Sequence, residues 1–134
     1  MSASITGGCL CGAVRFRLDG PRRDIVLCHC GQCRRWHGHV GAYTSVDRDG
    51  LVFTEQRGLA WFRSSNFAQR GFCRECGSSL FWQADDKKVI AITAGALDAP
   101  TGLATTLQMF TEDRGDYYAL DSSIPIRPKT PPPG

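Results

Sequence analysis

Three cysteines within six residues, Cys28, Cys30 and Cys33, constrain this chain more than any other feature. Thiolates at i, i+2 and i+5 can converge on one metal ion around a tight turn. The other four cysteines come as Cys9-Leu10-Cys11 and Cys73-Arg74-Glu75-Cys76, about sixty residues apart. Together those two pairs suffice for one closed tetrahedral zinc site. Seven cysteines thus divide into four plus three, with none left over. Three thiolates leave a tetrahedral zinc one ligand short. Structural sites close all four positions, whereas sites that do chemistry keep one open. The alternative for Cys28, Cys30 and Cys33 is a second structural zinc closed by a histidine. His37 and His39 follow closely enough to reach back, while His29, between two ligands, would point its ring away.

The remaining composition fits one ordinary domain. At 134 residues a chain buries roughly 68% of its unfolded surface and needs no staples. No apolar run approaches the span of a membrane helix, and residues 1–7 carry neither the basic nor the apolar region of a secretory signal. The expected compartment is the reducing cytoplasm, where clustered cysteines read as metal ligands rather than disulfides. The formal charge of +3 disappears on this reading. Losing seven thiol protons and gaining two Zn²⁺ brings it to zero. A basic balance therefore gives no support for nucleic-acid binding.

Strand signals dominate. Residues 13–18 alternate, with Val14, Phe16 and Leu18 on one face and two arginines on the other. Asp19-Gly20-Pro21 ends that strand. Residues 24–28 carry Ile25, Val26 and Leu27 into the central cysteines, and residues 33–37 make a helical turn stopped by Gly38. Further strands are expected at 40–46, 51–54, 59–63, 67–72, 80–82 and 88–93, with late ones at 105–110 and 117–120. Gly77 after Cys76 gives a zinc-knuckle pattern, in which backbone N–H groups turn toward sulfur. There is no internal repeat and no long helical period. Turns roughly every eight to twelve residues argue for a mainly β, antiparallel fold. The two outer cysteine pairs would clip its ends together. The expected organisation is one zinc-binding domain over residues 1–124. A Pro-rich tail follows over 125–134, holding five of the seven prolines, extended and peripheral.

Three motifs in order carry a resemblance: Gly8-Cys9-Leu10-Cys11-Gly12-Ala13-Val14-Arg15-Phe16, Cys28-His29-Cys30-Gly31-Gln32-Cys33-Arg34-Arg35, and Phe72-Cys73-Arg74-Glu75-Cys76-Gly77-Ser78-Ser79-Leu80. They resemble those of the glutathione-dependent formaldehyde-activating enzyme family, which includes centromere protein V-like proteins. Weaker echoes at Gly95-Ala96-Leu97-Asp98 and in the aromatic-rich end extend the similarity over residues 5–120. The resemblance implies an Mss4-like β fold with two zinc ions per chain. Cys9, Cys11, Cys73 and Cys76 would hold the structural zinc, and Cys28, Cys30 and Cys33 the catalytic one. The implied activity is that of a carbon–sulfur lyase joining glutathione and formaldehyde into S-hydroxymethylglutathione. The chain departs from the family at Leu107-Gln108-Met109-Phe110, where glutamine stands in place of an expected histidine.

Arg34 and Arg35 have two readings. They bind the carboxylates of a peptide-like thiol, which guanidinium grips in bidentate fashion, or they offset thiolate charge and are solvated. Arg63 and Arg70 read as solvated, and Trp36, Trp61 and Trp82 as core or rim packing. Glu75 and Glu112 have no telling spacing and receive no catalytic role. The open zinc would either deliver a bound thiolate to a carbonyl carbon or polarise the carbonyl oxygen. Three thiolates leave the site at −1, which weakens Lewis acidity and favours thiolate delivery. A non-catalytic zinc module that binds glutathione or a protein partner is the alternative from another class. The partners expected are thus a small thiol and an aldehyde, with no nucleic acid and no membrane.

Overall fold

The computed structural model describes residues 3–129. In chain order its elements are β1 (Ile5–Gly8), β2 (Arg15–Leu18), β3 (Ile25–Cys28), α1 (Gly31–His37), β4 (Gly41–Asp47) and β5 (Leu51–Glu55). There follow β6 (Leu59–Arg63), β7 (Ala68–Cys73), β8 (Ser79–Ala84), β9 (Val89–Thr93), β10 (Thr105–Met109) and β11 (Ile126–Arg127), with three short 3-10 turns between strands. The mainly β class read from the sequence is the class observed. The chain divides into two compact units, one of residues 3–23 with 44–102, the other of 24–43 with 103–129.

In the first unit β1 and β2 form an antiparallel hairpin, and β5 pairs with the free edge of β2. Alternation along β2 acts as its residues dictate. Val14, Phe16 and Leu18 are at most 1% exposed, while Arg15 and Arg17 turn outward to Asp98 and Asp19 at 2.7 and 2.9 Å. β6, β7, β8 and β9 make an antiparallel meander. The two layers meet at Phe81, whose ring takes Phe16 and Phe53 edge-on with centroids 5.4 and 5.7 Å apart. Burial of each such ring stabilises the unit by about 1.5–3 kcal/mol. Arg70 is not solvated as its type suggested. It is 3% exposed, on the face of β7 opposite Gly71, where its register partners are Phe62 and Trp82.

In the second unit β3 pairs antiparallel with the start of β4 and parallel with β10, and β11 runs parallel along β10. The pairing is therefore mixed, with parallel neighbours on both sides of β10. The strand expected at 117–120 does not form: residues 116–118 turn instead. Tyr117 and Tyr118 have the aromatic composition of a strand, but their hydroxyls are committed to His39 and His29. Of the Pro-rich tail, residues 126–127 form β11, and 130–134 lie outside the described residues.

Candidate metal centres

The structure gathers the seven cysteines into two groups. Cys9, Cys11, Cys73 and Cys76 bring their sulfurs within 4.8 Å of one another in the first unit, and Cys28, Cys30 and Cys33 do the same in the second. All seven are free thiols.

The four-cysteine group joins the β1–β2 connection to the β7–β8 turn. Cys9 and Cys11, and Cys11 and Cys73, stand 3.8 Å apart at sulfur. Zinc–sulfur bonds of 2.3 Å in a tetrahedron put neighbouring sulfurs about 3.8 Å apart, so these thiols fit the edges of a zinc site. The groups around them point inward. The Val14 N–H donates to Cys9 Sγ at 3.2 Å, and Ser78 Oγ lies 3.1 Å from Cys76 Sγ while accepting from the Leu10 N–H. The hydrogen bond from Ser78 leads the influences that hold the Cys76 thiol down to about 5. Gly77 takes φ +82°, a left-handed conformation that glycine adopts without strain. Its N–H bonds the Cys73 carbonyl at 2.7 Å, and just beyond it the Ser78 backbone N–H turns to the Cys76 sulfur, as the knuckle pattern suggests. Cys73 is fully buried, and this arrangement suits a structural ion.

The three-cysteine group is built by the junction of β3 and α1. Cys28 ends β3. Cys30 is the N-cap of α1, and its sulfur accepts the Cys33 N–H at 3.3 Å, doing for the helix start what a serine oxygen usually does. Cys33 lies two residues into the helix and is buried. Gly38 stops α1 as expected, at φ +82° with its N–H on the Arg34 carbonyl. Hydrogen bonds from Cys28 and then Cys33 hold the Cys30 thiol well below its ordinary range. The same contact with Cys30 pushes Cys28 up. Binding a metal would take the protons from these thiols.

Histidine does not complete this group among the described residues. His29 is 3% exposed and both ring nitrogens are engaged, Nδ1 with Tyr118 Oη at 2.7 Å and Nε2 with Gln108 Oε1 at 2.8 Å. Gln108 Nε2 donates to the Asp121 carbonyl at 2.8 Å and the Ile124 carbonyl at 3.4 Å. Its Oε1 must therefore accept, which places the His29 proton on Nε2 and makes Nδ1 the acceptor of the Tyr118 hydroxyl. Burial holds His29 below its ordinary value. His37 bonds Tyr43 through Nε2, and His39 Nδ1 meets Tyr117 Oη at 2.7 Å. Each histidine thus has a tyrosine partner. Gln108, 1% exposed, is the member of this network that residue type alone did not reveal as important.

Arg34 and Arg35 both lie on α1. Arg34 is half-buried and donates from Nη1 to the Asp113 carbonyl at 3.2 Å. Arg35 is exposed and has no side-chain partner among the described residues. Glu75 pairs with Arg57 at 3.1 Å and Glu112 with Lys129 at 3.7 Å, both at the surface.

A family profile described as glutathione-dependent formaldehyde-activating enzyme matches residues 4–113. A Schizosaccharomyces pombe protein named an uncharacterized lyase is 27% identical over 113 residues, covering 84% of this chain and 82% of that protein. A Halomonas elongata protein provisionally named glutathione-dependent formaldehyde-activating enzyme is 28% identical over 129 residues, covering 88% and 82%. Among solved structures, a Rhodobacter sphaeroides protein studied by structural genomics aligns with a TM-score of 0.55 at 24% identity, covering 70% of this chain and 88% of that one. That likeness is one of fold.

Proposed function

The chain belongs to the glutathione-dependent formaldehyde-activating enzyme family, and on that premise we propose that it is a zinc-dependent carbon–sulfur lyase adding a thiol such as glutathione to a small aldehyde. The observation that carries this reading is the three-cysteine group. It offers a metal three sulfurs, and among the described residues the histidines nearby are bonded to tyrosines instead. Cys28, Cys30 and Cys33 would hold the catalytic ion, and Cys9, Cys11, Cys73 and Cys76 the structural one. Zinc in the three-cysteine site would supply a deprotonated substrate thiol at neutral pH, since coordination removes a thiol's proton.

The protein's own part is to hold and orient. Cys30 is fixed by the helix start, and Cys28 by the end of β3. The His29–Gln108–Tyr118 network immobilises the residue between the first two sulfurs. Arg35, free of protein partners, and Arg34 would take the carboxylates of a peptide-like thiol in bidentate contacts. In the addition, thiolate sulfur bonds to the carbonyl carbon and the oxygen takes a proton. The proton lost from the thiol is thereby balanced, and no oxidant or reductant is needed. Holding thiol and aldehyde together converts a bimolecular encounter into a local one. Free thiols throughout the chain suit the cytoplasm, which we take as its compartment.

The test is the exchange between glutathione, formaldehyde and S-hydroxymethylglutathione, followed by NMR with zinc-loaded protein. Wild type should accelerate exchange in proportion to its concentration, and Cys30→Ser should return it to the uncatalysed rate while the fold survives. Arg35→Ala should raise KM for glutathione about tenfold with little change in kcat. A folded, zinc-loaded wild type without thiol-dependent turnover would favour the non-catalytic zinc module.

A further inference from the structure

We propose that the first unit carries a second binding site, a cavity walled by Trp61 that takes a small planar anion bearing an N–H or O–H donor. The cavity is an open cleft of about 370 Å³, within the range of small-molecule sites. Its lining comes wholly from the first unit, and none of the seven cysteines contributes.

The sheet explains its shape. Trp61 on β6 stands opposite Gly71 on β7, which stands opposite Phe81 on β8. A Cβ at Gly71 would lie 3.0 Å from the Trp61 ring and 2.8 Å from Phe81. The glycine therefore lets the indole lie down over the sheet, nearly parallel to Phe81 at a centroid distance of 6.0 Å. Trp61 remains 39% exposed, so a rigid π face is left on the cavity side. Phe53 and Leu51 form apolar wall from β5, and Ile90 adds to it from β9. An aromatic face with apolar neighbours on one side favours a planar ring.

Polar groups without protein partners set the rest of the ligand's chemistry. Gln83 is 5% exposed, and its Nε2 donates to the Ala84 and Val89 carbonyls at 2.7 and 3.0 Å. That fixes the amide and leaves Oε1 as an acceptor with no donor among the described residues, on a residue that lines the cavity. A carbonyl oxygen open to the cavity can accept an N–H or O–H from a ligand. Gln69 sits directly across from Gln83 in the β7–β8 register, and its half-buried side-chain amide has no partner among the described residues. Arg48 is pinned by Nη2 to the Ala84 and Asp85 carbonyls, both at 3.1 Å. Its Nη1 and Nε remain available, which suits a carboxylate. The Asp85 carboxylate at the rim does not cancel that cation, because both its oxygens accept from Arg63 at 2.8–2.9 Å.

The test uses orotate, a planar carboxylate with ring N–H donors, against zinc-loaded full-length protein labelled with ¹⁵N. Saturable shifts should appear at the Trp61 indole N–H and the Gln69 and Gln83 side-chain amides. Arg48→Met should weaken orotate at least tenfold while changing neutral uracil less than twofold. Trp61→Leu should weaken both. Cyclohexanecarboxylate, anionic but neither planar nor a ring donor, should not saturate. The proposal is overturned if orotate gives no saturable shift up to roughly 10 mM, weaker than a specific site requires. It is equally overturned if folded Arg48→Met and Trp61→Leu bind orotate as wild type does.

Discussion

Replacing Gln108 by leucine tests whether the network beside the three-cysteine group is held by hydrogen bonds or merely by shape. Leucine keeps most of the volume, so the packing penalty is small. What changes is polar satisfaction at a position 1% exposed. The His29 Nε2–H loses its acceptor at 2.8 Å, and the Asp121 carbonyl loses its donor at 2.8 Å. The buried His29 Nε2–H left without a partner costs about 1–3 kcal/mol, and the loss at the part-buried Asp121 carbonyl roughly cancels the apolar gain of leucine, about 1 kcal/mol. The expected loss is therefore about 1–3 kcal/mol, a sizeable share of the roughly 5–15 kcal/mol that holds a domain together. Urea unfolding of zinc-loaded protein, followed by tryptophan fluorescence, would show it as a lower midpoint at unchanged m. Nitrogen NMR should also show the His29 ring losing its fixed Nε2–H tautomer. A midpoint within about 0.5 kcal/mol of wild type, with the tautomer intact, would refute the assignment of these hydrogen bonds.

Other consequences are equally checkable. Cys73→Ala removes a fully buried member of the four-cysteine group, where a structural zinc would be worth on the order of 10 kcal/mol, so the variant should be insoluble or unfolded; a wild-type melting curve would contradict the proposed four-cysteine site. Seven free thiols should be counted by mass spectrometry after denaturation and chelation, and a reproducible cystine in freshly extracted protein would contradict the metal scheme. His29, held by burial below its ordinary value of 6.5, should stay neutral in the folded protein as pH falls just below that value. Its contribution to stability is thus present above about pH 6.5 and lost as pH falls through the lower folded value. An NMR titration in which His29 gains its proton at or above 6.5 would contradict its buried setting.

Cysteine spacing made the two cysteine groups legible, because thiols crowded at i, i+2 and i+5 can converge on one centre. The alternation of Val14, Phe16 and Leu18 likewise announced β2, since one buried face imposes a period of two. Tyr117 and Tyr118 misled for a physical reason. Aromatic residues favour strands on average, but here their hydroxyls answer histidines 78 and 89 residues earlier in the chain. No local pattern encodes such a partner. The same limit hid the partners of Gln108, which the sequence marks only as a glutamine in place of an expected histidine and which the fold buries between His29 and two carbonyls. Arg70 was misjudged because β7 has buried residues on both its faces, and a central strand's place in the sheet decides burial before residue type does.

Zinc X-ray absorption, with and without glutathione, bears most directly on the claim that one site is closed and the other open to a thiol. A four-sulfur and a three-sulfur site should average three and a half sulfurs per zinc in the protein alone. Adding glutathione should raise the average to four, with Zn–S distances near about 2.3 Å. An average that glutathione leaves unchanged, whether at four sulfurs or with a nitrogen ligand completing the second site, would contradict the account.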